Sequence, residues 1–233
     1  MLIITKILEK LLDFNVVNFI NDLFSNSKYN TYLEIGVRNG GTFKKIKGPE
    51  LKLAVDIKKY AEFNKLCKNE MFFEMTSDQF FDEYAAKILG KRKVDVAFID
   101  GYHEFYQVMK DFNNIEEYIS ENGIIFIHDC NPVSWKYEGE QYGGNWNGDV
   151  WKAIYYLRKY RKGLNIVTLN CDQGIGTVWG FGNKTKKENE VNSDEMKKIK
   201  ILKYDFLDLN RKNILNLKSP FYWRKIKVKN GEL

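Results

Sequence analysis

The chain has 233 residues, of which 44% are hydrophobic and 15% aromatic, so it can bury the core of one globular domain. Its three cysteines are odd in number and lack close metal-ligand spacing, which argues against a disulfide framework and favours a reducing, cytoplasmic location. The formal net charge of +6 is uneven, because residues 184–233 hold 14 Lys/Arg and 7 Asp/Glu.

The N-terminal stretch predicts an amphipathic helix over residues 1–24. Apolar residues recur there at helical spacing, but Lys6, Glu9 and Asp13 interrupt them too often for a signal sequence or a membrane span. We therefore expect one domain over residues 1–233. Its parts are a helical cover at 1–29, a core at 30–182 and a basic helical segment at 183–233.

The core alternates short apolar runs with longer segments of helical period, as in a mostly parallel sheet with helices on both faces. The runs predict seven strands at residues 31–36, 51–57, 71–76, 94–100, 123–129, 165–170 and 176–181. Helices are predicted near residues 41–47, 58–68, 78–90, 102–120 and 149–162. Five residues between the last two strands are too few for a parallel crossover, so the last strand should be antiparallel. The predicted fold class is α/β and Rossmann-like.

Two further segments are less regular. Residues 130–148 form a long connection rich in Gly, Asn and aromatic residues, a composition typical of a lid. Residues 190–218 carry apolar side chains that would cover either the same domain or a partner subunit, which leaves a homo-oligomer open.

Polar residues follow the first two predicted strands, at the edge where open parallel sheets bind ligands. Glu34 and Gly36 close the first strand, and Gly40 opens the next helix, where unpaired N–H groups attract anions. Asp56 ends the second strand, where a carboxylate can accept both hydroxyls of a ribose. These residues predict a nucleoside site. The spacing from Gly36 to Gly40 does not meet GxGxxG, which disfavours a nicotinamide or flavin dinucleotide.

Both histidines of the chain follow consecutive predicted strands, each beside an acid. Asp100 and His103 follow the fourth strand, and His128 and Asp129 follow the fifth. A purely structural reading makes Asp100 a helix cap and gives His128 a hydrogen bond in a polar pocket. Their coincidence at one sheet edge favours a reactive site instead.

The segments YLEIGVRNGG, FIDGYHEFYQVMKD and NGIIFIHD, with Asp56, resemble the class I S-adenosylmethionine-dependent methyltransferases. More narrowly, they resemble the macrocin- and mycinamicin-type sugar O-methyltransferases and cephalosporin-hydroxylase-like sequences, over about residues 30–182. The resemblance implies S-adenosylmethionine as cofactor. The implied cofactor-binding residues, from methionine to adenine, are Glu34, Gly36, Gly40, Asp56, Thr76 and Ser77, with Asp100 facing the methyl donor.

The resemblance also implies catalytic and metal-binding residues. By position, His103 would be the general base, and Asp100, His128 and Asp129 would bind Mg or Mn, with Asp100 and His128 also in the catalytic set. His128 stands where these relatives often have an acid. Because magnesium prefers oxygen ligands, this departure disfavours Mg and leaves Mn, another divalent ion or a metal-free site open. A base or a cation is needed because an alcohol is a poor nucleophile near neutral pH.

Residues nearer the C-terminus are assigned less specifically. Asp149 is expected to cap a helix that starts there, and Trp146 and Trp151 to pack in the core or form a wall against an acceptor. Asp172 and Gln173 could border the mouth of the cofactor site.

The resemblance implies O-methylation of a small-molecule hydroxyl, and we expect a saccharide or glycosylated metabolite as acceptor. The basic C-terminal segment leaves methylation of RNA or another polyanion as an alternative, although we expect no nucleic-acid partner. A binding module that kept the fold and lost catalysis is a third reading.

Overall fold

The computed structural model describes residues 14–26, 28–139, 146–182 and 193–229. The first part of the predicted helix over 1–24, the middle of the predicted lid and the start of the basic segment lie outside these residues. Within the described parts of the chain, every helix is too short or too polar to cross a bilayer.

Eight strands form one sheet in the order β3-β2-β1-β4-β5-β7-β6-β8. Their bounds are β1 Thr31–Ile35, β2 Leu51–Asp56, β3 Glu70–Glu74, β4 Val94–Ile99, β5 Ile119–Ile127, β6 Asn165–Leu169, β7 Ile175–Trp179 and β8 Leu217–Lys218. Strands β1 to β5 pair in parallel, and β7 is antiparallel to both β5 and β6. The predicted Rossmann-like α/β sheet with its antiparallel seventh strand is confirmed.

Strand β8 was not predicted. It is two residues long and pairs in parallel with the end of β6. Such a short strand leaves no alternating pattern in the sequence.

The strand order places a topological switch point between β1 and β4. From there the chain builds β2 and β3 on one side and β5 on the other, so the connections leave a crevice at the carboxyl ends. The register keeps these ends level, because Ile35 pairs with both Val55 and Ile99, and Ile99 pairs with Ile127. Residues that follow these four positions therefore meet at one edge.

The helices are α1 Val16–Asn26, α2 over 77–89, α3 Phe105–Tyr118, α4 Trp135–Glu138, α5 Trp151–Tyr160, α6 Ser193–Lys200, α7 Tyr204–Leu215 and α8 Trp223–Lys229. Helix α2 contains a π-helical segment, Phe80–Ala85, between two short α-helical turns. The helices predicted near 41–47 and 58–68 are only 3-10 turns, Phe43–Lys45 and Ala61–Phe63. In the second segment only Phe63 is buried, so no apolar face supports a longer helix.

The hydrophobic core lies on both faces of the sheet. Helices α2, α3, α5, α6 and α7 pack on one face, and α1 and α8 pack on the other. Met196, Ile199 and Leu207 of the C-terminal segment are buried in the first of these layers. Ile201 and Leu209 of the same predicted apolar set are exposed instead.

Candidate active site at the ends of strands β1, β2, β4 and β5

A cavity of about 860 Å³ opens at the switch point, and we call it the first cavity. It is lined by residues from the ends of all four strands. Of the sequence-predicted residues, it brings together Gly36, Asp56, Thr76, Ser77, Asp100, His103, His128, Asp129 and Gln173.

The turn after β1 requires glycine. Gly36 has φ of +84°, and a Cβ atom there would lie 2.3 Å from the Asp100 carbonyl oxygen and from the Gly101 Cα. The β1 turn therefore touches the end of β4 directly. Any side chain at position 36 would push these two parts of the cavity wall apart.

Asp56 joins the turns that follow β1 and β2. The backbone N–H of Arg38 donates to Asp56 Oδ2 at 2.7 Å, and that of Lys58 donates to Oδ1 at 3.0 Å. Each carboxylate oxygen keeps a second lone pair that can face a ligand. The backbone thus fixes the orientation of a carboxylate that lines the first cavity.

Glu34 and Gly40 do not line the first cavity, and their assignment to the cofactor stays a prediction. Glu34 is buried on the face of β1 that also carries Tyr32, and the Tyr32 hydroxyl donates to its Oε2 at 2.6 Å. Burial raises the pKa of the Glu34 carboxyl to about 8, although the Tyr32 hydrogen bond favours its charged form.

Hydrogen-bonded polar side chains around the buried Asp111 form another part of the wall of the first cavity. Thr76 caps α2 through Gln79, and the Ser77 hydroxyl donates to Asp111 Oδ1 at 2.6 Å. Gln107 Nε2 donates to the same oxygen at 3.0 Å. Burial raises the pKa of Asp111 to about 6 against the effect of these two hydrogen bonds.

The two histidines and their neighbouring acids form one cluster. His128 Nδ1 lies 3.1 Å from both Asp100 Oδ1 and Asp129 Oδ2. His103 lies 3.5 Å from Asp100 through Nε2 and 3.3 Å from Asp129 through Nδ1. The predicted convergence of these four residues is therefore seen in the structure.

The tautomer of neutral His103 follows from its partner. Its Nδ1 lies 2.7 Å from the carbonyl oxygen of Trp146, which can only accept a hydrogen bond, so Nδ1 carries the proton. The lone pair is then on Nε2, the nitrogen on the side of Asp100. Burial opposes protonation, but Asp100 and Asp129 outweigh it and raise the pKa of His103.

His128 makes contacts that suit its protonated form. Besides the contacts of Nδ1, its Nε2 lies 3.5 Å from Asp172 Oδ1, so carboxylates face both ring nitrogens. Burial opposes protonation, but Asp100 and these hydrogen bonds raise the pKa of His128 well above its ordinary value. The imidazolium then partly neutralises three acids.

Three side chains of the cluster could hold a cation. One ligand atom from each of Asp100, His103 and Asp129 lies within 4.8 Å of the others. The two carboxylates suit Mn or Mg, and the imidazole makes Mg the less favoured of the two. His128, which was predicted as the third ligand, is not in this set, and its metal role stays a prediction.

The backbone at this edge is strained. The φ angles of Asp129, Asp172 and Gln173 lie between +46° and +58°, a region in which residues other than glycine are uncommon. Asn147 Nδ2 donates to Asp129 Oδ1 at 2.7 Å and holds this buried side chain in place. Strain of this kind is common at functional sites.

The described end of the predicted lid packs on His103. Trp146 stacks on its imidazole with ring centroids 5.3 Å apart. Gly148 has φ of +58°, and a Cβ there would lie 1.8 Å from the His103 carbonyl oxygen. Trp151 is fully buried and packs in the core, whereas Trp146 lines the first cavity.

The prediction that Asp149 caps the helix starting beside it is wrong. Its Oδ1 accepts from the Phe105 N–H at 2.7 Å, at the start of α3, while the residue that precedes α5, Val150, makes no side-chain cap. The reason is tertiary, because the 146–149 turn lies against the residues before α3.

Several residues of the site were missed from sequence. Asp111 could have been found from the sequence, because it is an acid close to the apolar stripe of α3 that contains Val108 and Phe112. No sequence pattern indicated Asn147 or the Trp146 carbonyl, because their roles depend on how a long connection folds back.

Comparison with known proteins agrees with this geometry. Residues 33–130 match the model of a family described as a methyltransferase domain. None of the curated proteins compared with the chain matches it significantly.

Among solved structures, a Klebsiella pneumoniae protein named as a candidate O-methyltransferase has 13% identity and a TM-score of 0.53, covering 70% of this chain and 79% of its own. Cofactor-bound Rv0187 from MTB has 11% identity and a TM-score of 0.51, covering 72% and 80%. The MycE methyltransferase of the mycinamycin pathway, solved with Mg, SAH and mycinamycin VI, has 16% identity and a TM-score of 0.48, covering 78% and 52%. The present chain thus spans about half the length of MycE.

The family match and the two structures with TM-scores above 0.5 agree with the methyltransferase resemblance predicted from the sequence. Residues 33–130 resemble a methyltransferase domain, and the sheet around them shares the fold of those two structures.

Proposed function

We propose that the chain transfers the methyl group of S-adenosylmethionine to a hydroxyl oxygen of a small molecule. The observation that carries this proposal is the shared first cavity, where Gly36 and Asp56 line the same space as His103. A nucleoside-type site and a candidate base therefore face each other. The relative from MTB, which is cofactor-bound, supports a cofactor site in this fold.

The residues of the first cavity fit such a cofactor. Gly36 lines the space for its methionine part, and Asp56 would accept hydrogen bonds from the ribose hydroxyls. Thr76 and Ser77 would lie near the adenine. When bound, S-adenosylmethionine supplies a methyl group on a positively charged sulfur.

His103 would act as the general base. Its Nδ1–H is held by the Trp146 carbonyl, so Nε2 could take the proton of the acceptor hydroxyl. The hydroxyl oxygen would then bond to the methyl carbon as the carbon–sulfur bond breaks, and the electron pair of that bond would stay on the sulfur of S-adenosylhomocysteine. The stacked indole of Trp146 keeps the ring in this orientation.

A divalent cation would polarise the acceptor hydroxyl and make its proton easier to remove. We assign it to the carboxylates of Asp100 and Asp129, with His128 as the predicted third ligand. His128 would have to lose a proton to bind it. His103 cannot use one nitrogen both as a ligand and as a base, so the proposal reserves its Nε2 for the proton.

We propose a saccharide or glycosylated metabolite as acceptor and the cytoplasm as location. The reduced thiols of Cys67, Cys130 and Cys171 agree with that location. Methylation of RNA gains no support from α6, where Lys197, Lys198 and Lys200 are all paired with carboxylates.

Calorimetry with S-adenosylhomocysteine tests the proposal. We expect binding to the wild type and at least ~100-fold weaker binding to Asp56→Ala, because hydrogen bonds to a charged group are lost. Asp95→Ala is the matched control, since Asp95 also accepts two backbone N–H groups, those of Asn30 and Thr31, but at the other end of the strands. Failure of the folded wild type to bind would contradict the proposal.

A further inference from the structure

The last residue of helix α6, Lys200, is bound to the residues around His103, although the match to a methyltransferase domain ends at residue 130. Its ammonium group binds Glu104 and lies 2.8 Å from Asp149 Oδ2. Glu104 directly follows His103 in the chain, and Asp149 belongs to the 146–149 turn. One side chain of the C-terminal segment therefore joins two segments that contact the candidate base.

We propose that Lys200 is a positioning residue that keeps the His103 imidazole in the orientation of a general base. The inference rests on the proposed function, because it explains how the base of that reaction is held. It also assigns a role to α6, for which the sequence offers no motif.

The orientation of the His103 ring depends on two segments that are far apart in sequence. The ring belongs to the turn after β4, whereas its Nδ1 lies 2.7 Å from the Trp146 carbonyl oxygen and its face stacks on the Trp146 indole. A shift of one segment against the other would break this hydrogen bond and turn Nε2 away from the first cavity. The separation of the two segments therefore has to be fixed.

Glu104 provides the attachment of Lys200 to the first segment. Its Oε2 accepts from the N–H groups of Tyr106 and Gln107 at 3.0 and 3.2 Å, so Glu104 caps the start of α3. Its other oxygen, Oε1, accepts from the Lys200 ammonium group. The ammonium group is thus tied to the backbone one residue after His103.

Asp149 provides the attachment to the second segment. Its backbone N–H donates to the His103 carbonyl oxygen at 3.2 Å, and its Oδ1 accepts from the Phe105 N–H at 2.7 Å. Its Oδ2 accepts from Lys200 at 2.8 Å. Asp149 therefore links Lys200 to the same turn that presents Trp146 to the imidazole.

Helix α6 is itself fixed to the rest of the domain. Met196 and Ile199 are buried in the core layer that also contains α3 and α5. The Lys200 carbonyl oxygen accepts from Lys152 Nζ of α5 at 2.8 Å. These contacts give the Lys200 ammonium group a defined position from which to hold Glu104 and Asp149.

The charge of Lys200 is what makes both attachments. Burial opposes this charge, but Asp149 and Glu104 outweigh it and raise the pKa of Lys200. Lys152 Nζ lies 3.2 Å from the same Asp149 oxygen, so Asp149 keeps a cationic partner when Lys200 is replaced. A neutral side chain at position 200 therefore releases Glu104 from the turn without leaving Asp149 unpaired.

NMR of protein labelled with [15N]histidine tests the inference. The chain has two histidines, so the Nδ1–H signal of His103 can be assigned by its loss in His103→Gln. The measured quantity is the rate at which this proton exchanges with water, because it exchanges when the ring leaves the Trp146 carbonyl. The variant is Lys200→Met, which keeps an unbranched side chain without the charge. Lys197→Met is the matched control, since Lys197 lies on the same helix and pairs with Asp194 of that helix.

We expect exchange to be about tenfold faster or more in Lys200→Met and to change by less than about twofold in Lys197→Met. Glu104→Gln removes the charge at the other end of the pair and keeps an oxygen for the α3 cap. It should also speed exchange, and it tests the same link if Lys200→Met does not fold. Unchanged exchange in the folded variants, or an equal increase in Lys197→Met, would overturn the inference.

Calorimetry with S-adenosylhomocysteine on the same samples separates this inference from the proposed function. The affinity of Lys200→Met should stay within about threefold of the wild type, because Lys200 does not line the first cavity. A loss of affinity as large as the gain in exchange rate would show a general loosening of the domain and would contradict a positioning role. Normal binding of S-adenosylhomocysteine with unchanged exchange refutes only the role of Lys200.

Discussion

Two cavities meet at His103, the first cavity and a second cavity of about 510 Å³ lined by Asp149, Lys152 and Lys200, and they differ in how their polar groups are held. In the first, acids and histidines crowd together, the pKa values of both histidines are raised, and Asp129 has a positive φ. In the second, lysines and acids pair with each other. The difference indicates that the first cavity suits chemistry and the second suits recognition, because reactive groups need unusual environments and binding surfaces need satisfied ones.

The largest expected effect is on the group that stands between the two cavities. His103→Ala should lower kcat for methyl transfer by about 100- to 10,000-fold, because it removes the Nε2 lone pair to which we assign the hydroxyl proton. The affinity for S-adenosylhomocysteine, measured by calorimetry, should change little. Retention of full kcat would show that the cluster in the first cavity is not reactive.

The next effect tests whether the 146–149 turn sets the position of His103. Gly148→Ala should cost about 1–3 kcal/mol of unfolding free energy in urea and lower methyl transfer, because the new Cβ overlaps the His103 carbonyl. Gly90→Ala is the control, since φ is +56° there and nothing lies within 4 Å of the added atom. It should lose stability from backbone strain alone and keep its activity per folded molecule. Equal losses of activity would contradict this role of the turn.

A pH titration of stability examines the buried acid beneath the first cavity. The folded-state pKa of Glu34, about 8, lies above its unfolded value, so the native state binds more protons between these values. Stability should therefore fall as pH rises from about 5 to 8, by up to ~1.4 kcal/mol per pH unit. Glu34→Gln should remove this slope in urea unfolding, and an unchanged slope would contradict the assignment.

Glu70 serves as a control for which the change of stability with pH should have the opposite sign. Burial alone would raise its pKa, but Lys44 and Lys52 hold it below the usual value. Its stabilising contribution is therefore present above the unfolded pKa and is lost as pH falls. Glu70→Gln should lower stability more at pH 7 than at pH 4.

The smallest effect concerns the paired charges of the second cavity. Lys200→Met should cost about 1 kcal/mol or less, because its partners are partly exposed and screened. Lys197→Met, on the same helix and in a more exposed pair, should cost nothing measurable in the same urea experiment. A larger loss for Lys197→Met would reverse the order of the two pairs.

The parts of the site that the sequence predicted are the ones that sheet topology brings together. Asp56, Asp100, His103 and Asp129 could be found because parallel strands with level ends put their following residues at one edge. The antiparallel β7 could be predicted from the length of one connection.

The remainder depends on packing between distant segments. Asp111 enters the first cavity through α3, and the Asp149 cap forms because residues 146–149 lie against the start of that helix. The second cavity needs α6 and α7 to pack beside the connection after β5. None of these contacts follows a period or a spacing in the sequence.

A crystal structure with S-adenosylhomocysteine would show whether the cofactor and His103 meet in the first cavity. We expect the ribose hydroxyls on Asp56, the adenine near Ser77, and the thioether sulfur facing the His103 imidazole across the first cavity. S-adenosylhomocysteine bound elsewhere, or with its sulfur turned away from His103, would contradict this expectation.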